Sequence, residues 1–290
     1  MLTAAAILVS VYIAGVKGAM KAFSTFIAYL VAFVMALSIS ASVSDSLSGK
    51  TIKSSNSKKI SKTLESYKFV DKLAERISGL EYNIRVDGSQ LDKIFNSGKD
   101  FDTEIYTLMN HRQGRNIGDT QEVFAEKLHG CYSGLIRDIV AEELSEYAAE
   151  VAAKEVLKDP ALFNNLIPLL IDKEDHTPAA DFIAEHYTKP AYRTVTWLIL
   201  ALILFAILMV VMLLVINYVI GNGYHEQGIP SHVGGALIGI PKGIILAFAI
   251  AVGVRLLVVL GSDEMLFFNF KAVDKTYIFK YLYNYVEKHM

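Results

Sequence analysis

The chain has 290 residues, of which 53% are hydrophobic and 20% are charged, and its formal net charge is −2. A soluble domain usually has about 25% charged residues. Together with the mean hydropathy of +0.36, this composition excludes a uniform soluble globule. It also excludes intrinsic disorder, which needs low hydrophobicity, and the slightly negative charge excludes a global basic field that would hold nucleic acid.

The charged residues are concentrated in one part of the chain. Residues 45–193 carry 45 of the 58 charged side chains. We therefore predict a membrane protein with a polar extramembrane insert over residues 45–193. Transmembrane helices 1 and 2 would lie within residues 1–44, transmembrane helices 3 and 4 within residues 194–262, and a C-terminal tail in residues 263–290.

Four apolar segments approach the roughly 20 residues that a helix needs to cross a bilayer. Residues 2–16 are apolar over 15 positions, residues 22–42 are uncharged over 21, and residues 195–220 are uncharged over 26. The fourth segment, residues 243–260, is interrupted by Arg255. The sequence thus predicts an all-α fold with a four-helix transmembrane bundle.

The approach to the fourth segment contains Pro241 and Lys242. An unbroken helix over residues 233–260 would be about 42 Å long, which exceeds a hydrocarbon core of about 30 Å. Because proline cannot donate a backbone hydrogen bond, we expect a bend at Pro241. Lys242 would then lie at the membrane interface, and residues 229–241 would form a surface or re-entrant segment.

Gly235, Gly239 and Gly243 stand four residues apart. On a helix they would form one flat face, here called the glycine stripe, which another helix could approach closely. Glycine is also common in membrane helices without such a role. The two consecutive four-residue steps favour a packing face.

Two short basic turns carry a resemblance to a known family. Lys17-Gly18-Ala19-Met20-Lys21 precedes the second apolar segment, and Ser231-His232, the glycine stripe and Lys242 precede the fourth. In this order they resemble the colicin V production protein (CvpA) family of bacterial inner-membrane proteins, over residues 1–45 and 195–285. Ser231 and His232 stand where that family has an Asp-Arg pair, so an ion pair is missing here.

The resemblance implies a non-enzymatic scaffold or accessory protein for envelope processes, such as the production or export of a colicin V-like peptide toxin. It implies a multi-pass protein of the bacterial inner membrane whose partners are the lipid bilayer and a second copy or another membrane protein. Lys17, Lys21 and Lys242 would anchor the cytoplasmic face, which places the termini and the insert on the extracytoplasmic side. A larger number of basic residues favours the opposite orientation: Lys50, Lys53, Lys58 and Lys59 after span two, Lys189 and Arg193 before span three, and Lys271 and Lys275 after span four. Long translocated domains largely escape the charge rule, which discounts the lysines of the insert but not all of these residues.

Arg255 is a charge within a predicted span, and such charges are functional candidates by default. It either snorkels to the interface, five residues from Leu260, or is buried against a partner. Asp263, Glu264 or a polar group of another subunit could be that partner. In the buried case the alternative function is an oligomeric channel or transport component with Arg255 in the membrane path.

The insert shows helical periodicity and no alternation of strand length, so we predict about six helices that pack as a small bundle. One apolar stripe runs over residues 60–80 and a longer one over residues 119–151. Asp102 is expected to cap a helix, and further helices are expected to start at Asp159 and Thr177.

No catalytic or metal-binding motif is present. There is no HExxH, GxSxG, SxxK or Walker sequence. Cys131, the only cysteine, lies on an apolar helical face, where a buried structural thiol is expected. His129 lies two residues from it without further ligands. We predict no catalytic residue, no metal and no cofactor.

The C-terminal tail carries eight aromatic residues interspersed with lysines. This composition suits the headgroup region of a bilayer. The tail is therefore predicted to form an interfacial aromatic helix. The alternative is a helix that packs on the insert.

Overall fold

The computed structural model describes residues 2–111, 117–172, 175–220, 228–260, 273, 276 and 279–289. Every regular element in these ranges is helical and none is a strand, which confirms the all-α class. The chain divides into two compact units. The membrane unit comprises residues 1–46 and 193–290, and the insert unit comprises residues 47–192.

Thirteen helices are present in the described ranges. In chain order they are α1 (Leu2–Lys17), α2 (Ala19–Leu47), α3 (Lys53–Ser66), α4 (Phe69–Ser78), α5 (Gly88–Phe95), α6 (Phe101–His111), α7 (Gln121–Glu143), α8 (Glu146–Lys158), α9 (Pro160–Leu170), α10 (Thr177–Ile183), α11 (Lys189–Ile220), α12 (Ile229–Leu260) and α13 (Phe279–His289). Two π-helical turns, Ser48–Ile52 and Ala184–Thr188, join α2 to α3 and α10 to α11.

Three helical stretches are long and apolar enough to cross a bilayer. They are α2, α12 and the continuous stretch Thr177–Ile220 that ends with α11. Helix α1 is apolar but has only 16 residues, so it measures about 24 Å, less than a hydrocarbon core of about 30 Å. The structure thus supports three of the four expected spans by length and composition.

The bend expected at Pro241 is absent. Helix α12 continues through Pro241 over 32 residues. Membrane helices tolerate proline where neighbouring helices support the backbone, and α1 packs on Gly239 and Gly243, on either side of Pro241. The expected surface or re-entrant segment is therefore the first part of α12, and Lys242 lies midway along a helix.

Aromatic side chains connect α2, α11 and α12. The Phe205 ring of α11 makes edge-to-face contacts with Tyr29 and Phe33 of α2, at centroid distances of 6.3 and 5.9 Å. Phe33 also contacts Phe248 of α12 at 6.3 Å. Such pairs contribute about 0.5–1.5 kcal/mol each beyond the burial of their area. They hold these helices together where backbones do not approach closely.

The insert unit has its own apolar core, built around α7. Helices α3, α4, α6 and α8 pack against α7. At the centre, the fully buried Tyr132 of α7 stacks on Phe163 of α9 with a centroid distance of 4.3 Å. The prediction that the insert is helical is confirmed.

The structure divides the insert more finely than the sequence suggested. The stripe over residues 60–80 is two helices, because Tyr67 is extended between α3 and α4. The longer stripe is also two helices, because Leu144 is extended and the Ser145 hydroxyl accepts from Ala148 N at the start of α8. The described part of the insert unit thus contains eight helices, α3 to α10, instead of about six.

Asp102 does not cap a helix as predicted. The carboxylate of Asp100 accepts from Thr103 N at 2.9 Å, at the start of α6, and this bond lowers the pKa of Asp100. The starts expected near Asp159 and Thr177 are confirmed.

Candidate functional site

The glycine stripe is the contact face between α1 and α12. The two helices run antiparallel, with Gly235 against Ala14 and Gly239 against Val11. A Cβ atom added at Gly239 would lie 2.5 Å from Val11 Cα, which is a backbone atom that no rotamer change can move. The stripe therefore brings two backbones into contact, as small residues do in membrane helix pairs.

Hydrogen bonds of Ser231 and His232 stabilise the α1–α12 pair at the end where α1 stops and α12 begins. Ser231 Oγ accepts from Ala19 N at 3.0 Å, where the first turn of α2 has donors without helical partners. His232 Nδ1 donates to Gly15 O at 2.8 Å. The turn between α1 and α2 is made by Gly18, whose φ is +80°. Ser231 and His232 therefore act as polar caps.

The three predicted lysine anchors occupy different environments. Lys17 is the last residue of α1 and is half-buried. Lys21 lies in the first turns of α2 and is buried. Lys242 is only 5% exposed, and its ammonium lies over the Tyr29 ring, 4.6 Å from the centroid.

Arg255 lies against the C-terminal helix. Its Nη1 donates to Tyr283 Oη at 3.0 Å and approaches the Glu287 carboxylate at 3.1 Å. The Arg255 side chain is 15% exposed. Arg255 is therefore half-buried, and these two partners lie in α13. Asp263 and Glu264 lie outside the described residues.

Helix α13 also packs on α12 through apolar groups. Tyr283 is fully buried and joins Val254 and Val273 in a small cluster. Tyr285 meets Phe248 edge-to-face at 5.9 Å. The described part of the tail therefore packs on α12, while residues 261–272 of the expected interfacial segment lie outside the described residues.

Polar contacts of the insert unit join α6 to α7 and hold the segment before α7 against that helix. Asp102 accepts from Tyr132 Oη at 3.0 Å and pairs with His129 Nε2 at 2.7 Å. Asp119 accepts from Lys127 Nζ at 2.7 Å and from Tyr82 Oη at 2.5 Å. The hydrogen bond from Lys127 is the main reason that the pKa of Asp119 is lowered.

No group of three or more His, Cys, Asp or Glu side chains in the described ranges could hold a metal ion. The Cys131 thiol is buried, and burial raises its pKa to about 11. Since the thiolate is the nucleophile, this thiol has little reactivity near neutral pH. His129 pairs with Asp102. Among the described residues, His129 and Cys131 are therefore not part of a zinc-binding group.

One open cleft of about 540 Å³ lies in the insert unit, where α3 meets α4 and α9 ends. Four carboxylates line it: Glu65, Asp71, Asp92 and Asp172. The Tyr67 hydroxyl beside them is buried and has no hydrogen-bond partner among the residues that the structure describes, and burial raises its pKa. Lys68 and His176 also line the cleft, in which carboxylates outnumber the basic side chains.

Comparison with known proteins gives no match: no family model, no curated protein and no solved structure matches this chain. The resemblance to the CvpA family therefore rests on the two basic turns and the glycine stripe.

Sequence reasoning missed the partners of the buried cations. The sequence places Glu287 and Tyr283 in an aromatic tail. Acidic residues are rare outside the insert, and this rarity is the signal that makes Glu287 a candidate partner of Arg255. Tyr29 lies eight residues after Lys21, on the same helical face. The spacing of Lys21 and Tyr29 indicates a polar face of α2, but it does not indicate that Tyr29 contacts Lys242.

Replacement of Gly239 by alanine should destabilise the membrane unit. The added methyl group would force α1 and α12 apart, and overpacking of this kind costs about 1–3 kcal/mol. Gly253→Ala is the matched control, since a Cβ there would lie 4.0 Å from its nearest neighbour, Leu202 Cδ1. Thermal unfolding of the purified protein in detergent should show a lower Tm for Gly239→Ala only. Equal Tm values would contradict the backbone contact.

Glu287→Gln should loosen α13 from α12. The substitution leaves the guanidinium of Arg255 without its carboxylate, and a hydrogen bond to a charged group contributes about 1.5–3 kcal/mol. Faster amide hydrogen exchange over residues 279–289 would report the change. Lys288→Gln, at an exposed position of the same helix, should leave exchange unchanged. If both variants exchange alike, the ion pair does not hold the helix.

Proposed function

We propose that this chain is a multi-pass membrane scaffold or accessory protein that supports envelope processes, such as production or export of a colicin V-like peptide toxin. The observation that carries the proposal is the α1–α12 pair, which joins residues 7–19 to residues 231–243 by backbone contact and polar caps. Such a pair suits a protein that holds a fixed shape in the bilayer. The resemblance to the CvpA family supplies the process.

The proposed arrangement has four crossings in the bacterial inner membrane. Helix α1 would be the fourth, because it lies along α12 and a bilayer can thin locally around a short helix. The α1–α2 turn, with Lys17 and Lys21, would face the cytoplasm. The termini and the insert unit would then lie on the extracytoplasmic side, and the lipid bilayer and a second copy or another membrane protein would be the partners.

Several features favour a scaffold over an enzyme. Two carboxylates of the insert unit, Asp102 and Asp119, are engaged in structural hydrogen bonds. The one thiol is buried. These observations support a non-enzymatic role without a cofactor.

The alternative function is an oligomeric channel or transport component with Arg255 in the membrane path. It has less support because the guanidinium of Arg255 is occupied by Tyr283 and Glu287. Liposome flux of an ion or solute that is lost in Arg255→Leu would favour this alternative.

Cysteine labelling tests the topology. Cys131 is first replaced by serine, so that the added thiols are the only ones. Ser55→Cys, at an exposed position of α3, should react with a membrane-impermeant maleimide in cells whose inner membrane is intact. Met20→Cys, at an exposed position of the turn, should react only after permeabilisation. The reverse pattern would contradict the proposed orientation.

Complementation tests the function. In a bacterial strain that makes a colicin V-like toxin but lacks its own CvpA-type protein, expression of this chain should restore the zone of growth inhibition. Gly239→Leu should fail at an equal membrane level, because the larger side chain separates α1 from α12, and Gly253→Ala should succeed. Failure of the unmodified chain, or success of Gly239→Leu, would contradict the proposal.

A further inference from the structure

Lys242 is a buried cation without a charged partner among the described residues. Its ammonium lies over the face of Tyr29, a contact that attracts the charge but offers no lone pair to its three N–H groups. The described carboxylates of the membrane unit are Asp45 and Glu287, and each pairs with an arginine. Charges within membranes are rare and mark binding sites or pathways.

A second lysine adds to the positive charge near Lys242. Lys17 lies close enough to interact electrostatically with the Lys242 ammonium. Two neighbouring cations repel each other, so an anion between them would stabilise both. The site is therefore suited to an anionic ligand.

Helix α2 presents a polar face that leads from the turn to Lys242. Lys21, Thr25 and Tyr29 stand four residues apart and are all buried. Side chains on a helix lean toward its N-terminus. The N-terminus of α2 lies at the Gly18 turn, and α12 passes Gly18 at Gly235. The ammonium groups of Lys21 and Lys242 therefore lean toward the turn end of the membrane unit, where Lys17 ends α1.

Apolar side chains flank this end of the unit. Phe23 and Ile27 of α2 and Leu237 and Ile240 of α12 are exposed. Exposed apolar groups beside a group of lysines match a molecule that joins an anionic head to acyl chains. Basic pockets between membrane helices bind anionic lipid headgroups for this reason.

We propose that Lys17, Lys21 and Lys242 bind the phosphate of an anionic phospholipid, whose acyl chains lie along the exposed faces of α2 and α12. Phosphate oxygens accept the charge-assisted hydrogen bonds that the ammonium groups donate. Lys242 is the deepest of the three, and Lys17 and Lys21 lie nearer to the turn. The proposal depends on insertion into a bilayer and is independent of the scaffold role.

Native mass spectrometry of the purified full chain in detergent tests the proposal. Phosphatidylglycerol is the anionic probe and phosphatidylcholine the zwitterionic one. Each lysine near an anionic surface contributes about 1 kcal/mol, so Lys17→Gln/Lys21→Gln should weaken phosphatidylglycerol binding by about tenfold or more and leave phosphatidylcholine binding unchanged. Lys58→Gln/Lys59→Gln removes two exposed lysines of α3 and should change neither.

Two variants of Lys242 distinguish the effect of losing the charge from the effect of changing the side chain. Lys242→Arg keeps the charge and should retain the preference for phosphatidylglycerol, whereas Lys242→Met should lose it. If Lys242→Met fails to fold, the double variant and the salt dependence decide: raising NaCl from about 0.1 M to about 0.5 M should weaken phosphatidylglycerol binding through screening.

Three results would overturn the proposal. The first is equal affinity of the unmodified chain for the two lipids. The second is an unchanged preference in Lys17→Gln/Lys21→Gln. The third is displacement of phosphatidylglycerol by a similar concentration of inorganic phosphate, since a soluble anion would then be the ligand.

Discussion

Two helices can bring their backbones into contact only where side chains are missing from the touching faces, and α1 and α12 meet under that condition. The glycine stripe removes the side chains from one face of α12, and α1 occupies the space. The pair explains why α12 remains one helix through Pro241, since it is supported on both sides of the proline. Helix α1 has only 16 residues, too few to cross a bilayer without thinning it. Its contact with α12 supports it along its length.

The membrane unit surrounds the charges of Arg255 and Lys242 in different ways. Arg255 has a hydroxyl, a ring and a carboxylate from α13, so its charge is balanced within the chain. Lys242 has only the face of Tyr29 among the described residues. A buried charge is costly unless it is paired, and this difference separates a structural role for Arg255 from a binding role for Lys242.

The insert unit depends on a separate core. Its helices pack around α7, and the stacked pair Tyr132–Phe163 fills the centre. Beside this core, the Asp102 carboxylate accepts a hydrogen bond from Tyr132 and pairs with His129. These hydrogen bonds hold α6 against α7 beside the core.

The sequence by itself determined the helical class, the apolar segments and the face that carries the glycine stripe, because composition and helical spacing are local properties. It also placed the starts of α9 and α10 correctly. It failed at Pro241 and Asp102, where local preferences were overridden by packing on α1 and by the nearer cap at Asp100. Only the tertiary structure decided which helix meets the glycine stripe, and which side chains meet Arg255 and Lys242. The glycine stripe and Lys242 contact residues more than 200 positions away in the sequence, and Arg255 contacts residues more than 20 positions away. A local sequence pattern does not encode which distant residues meet in space.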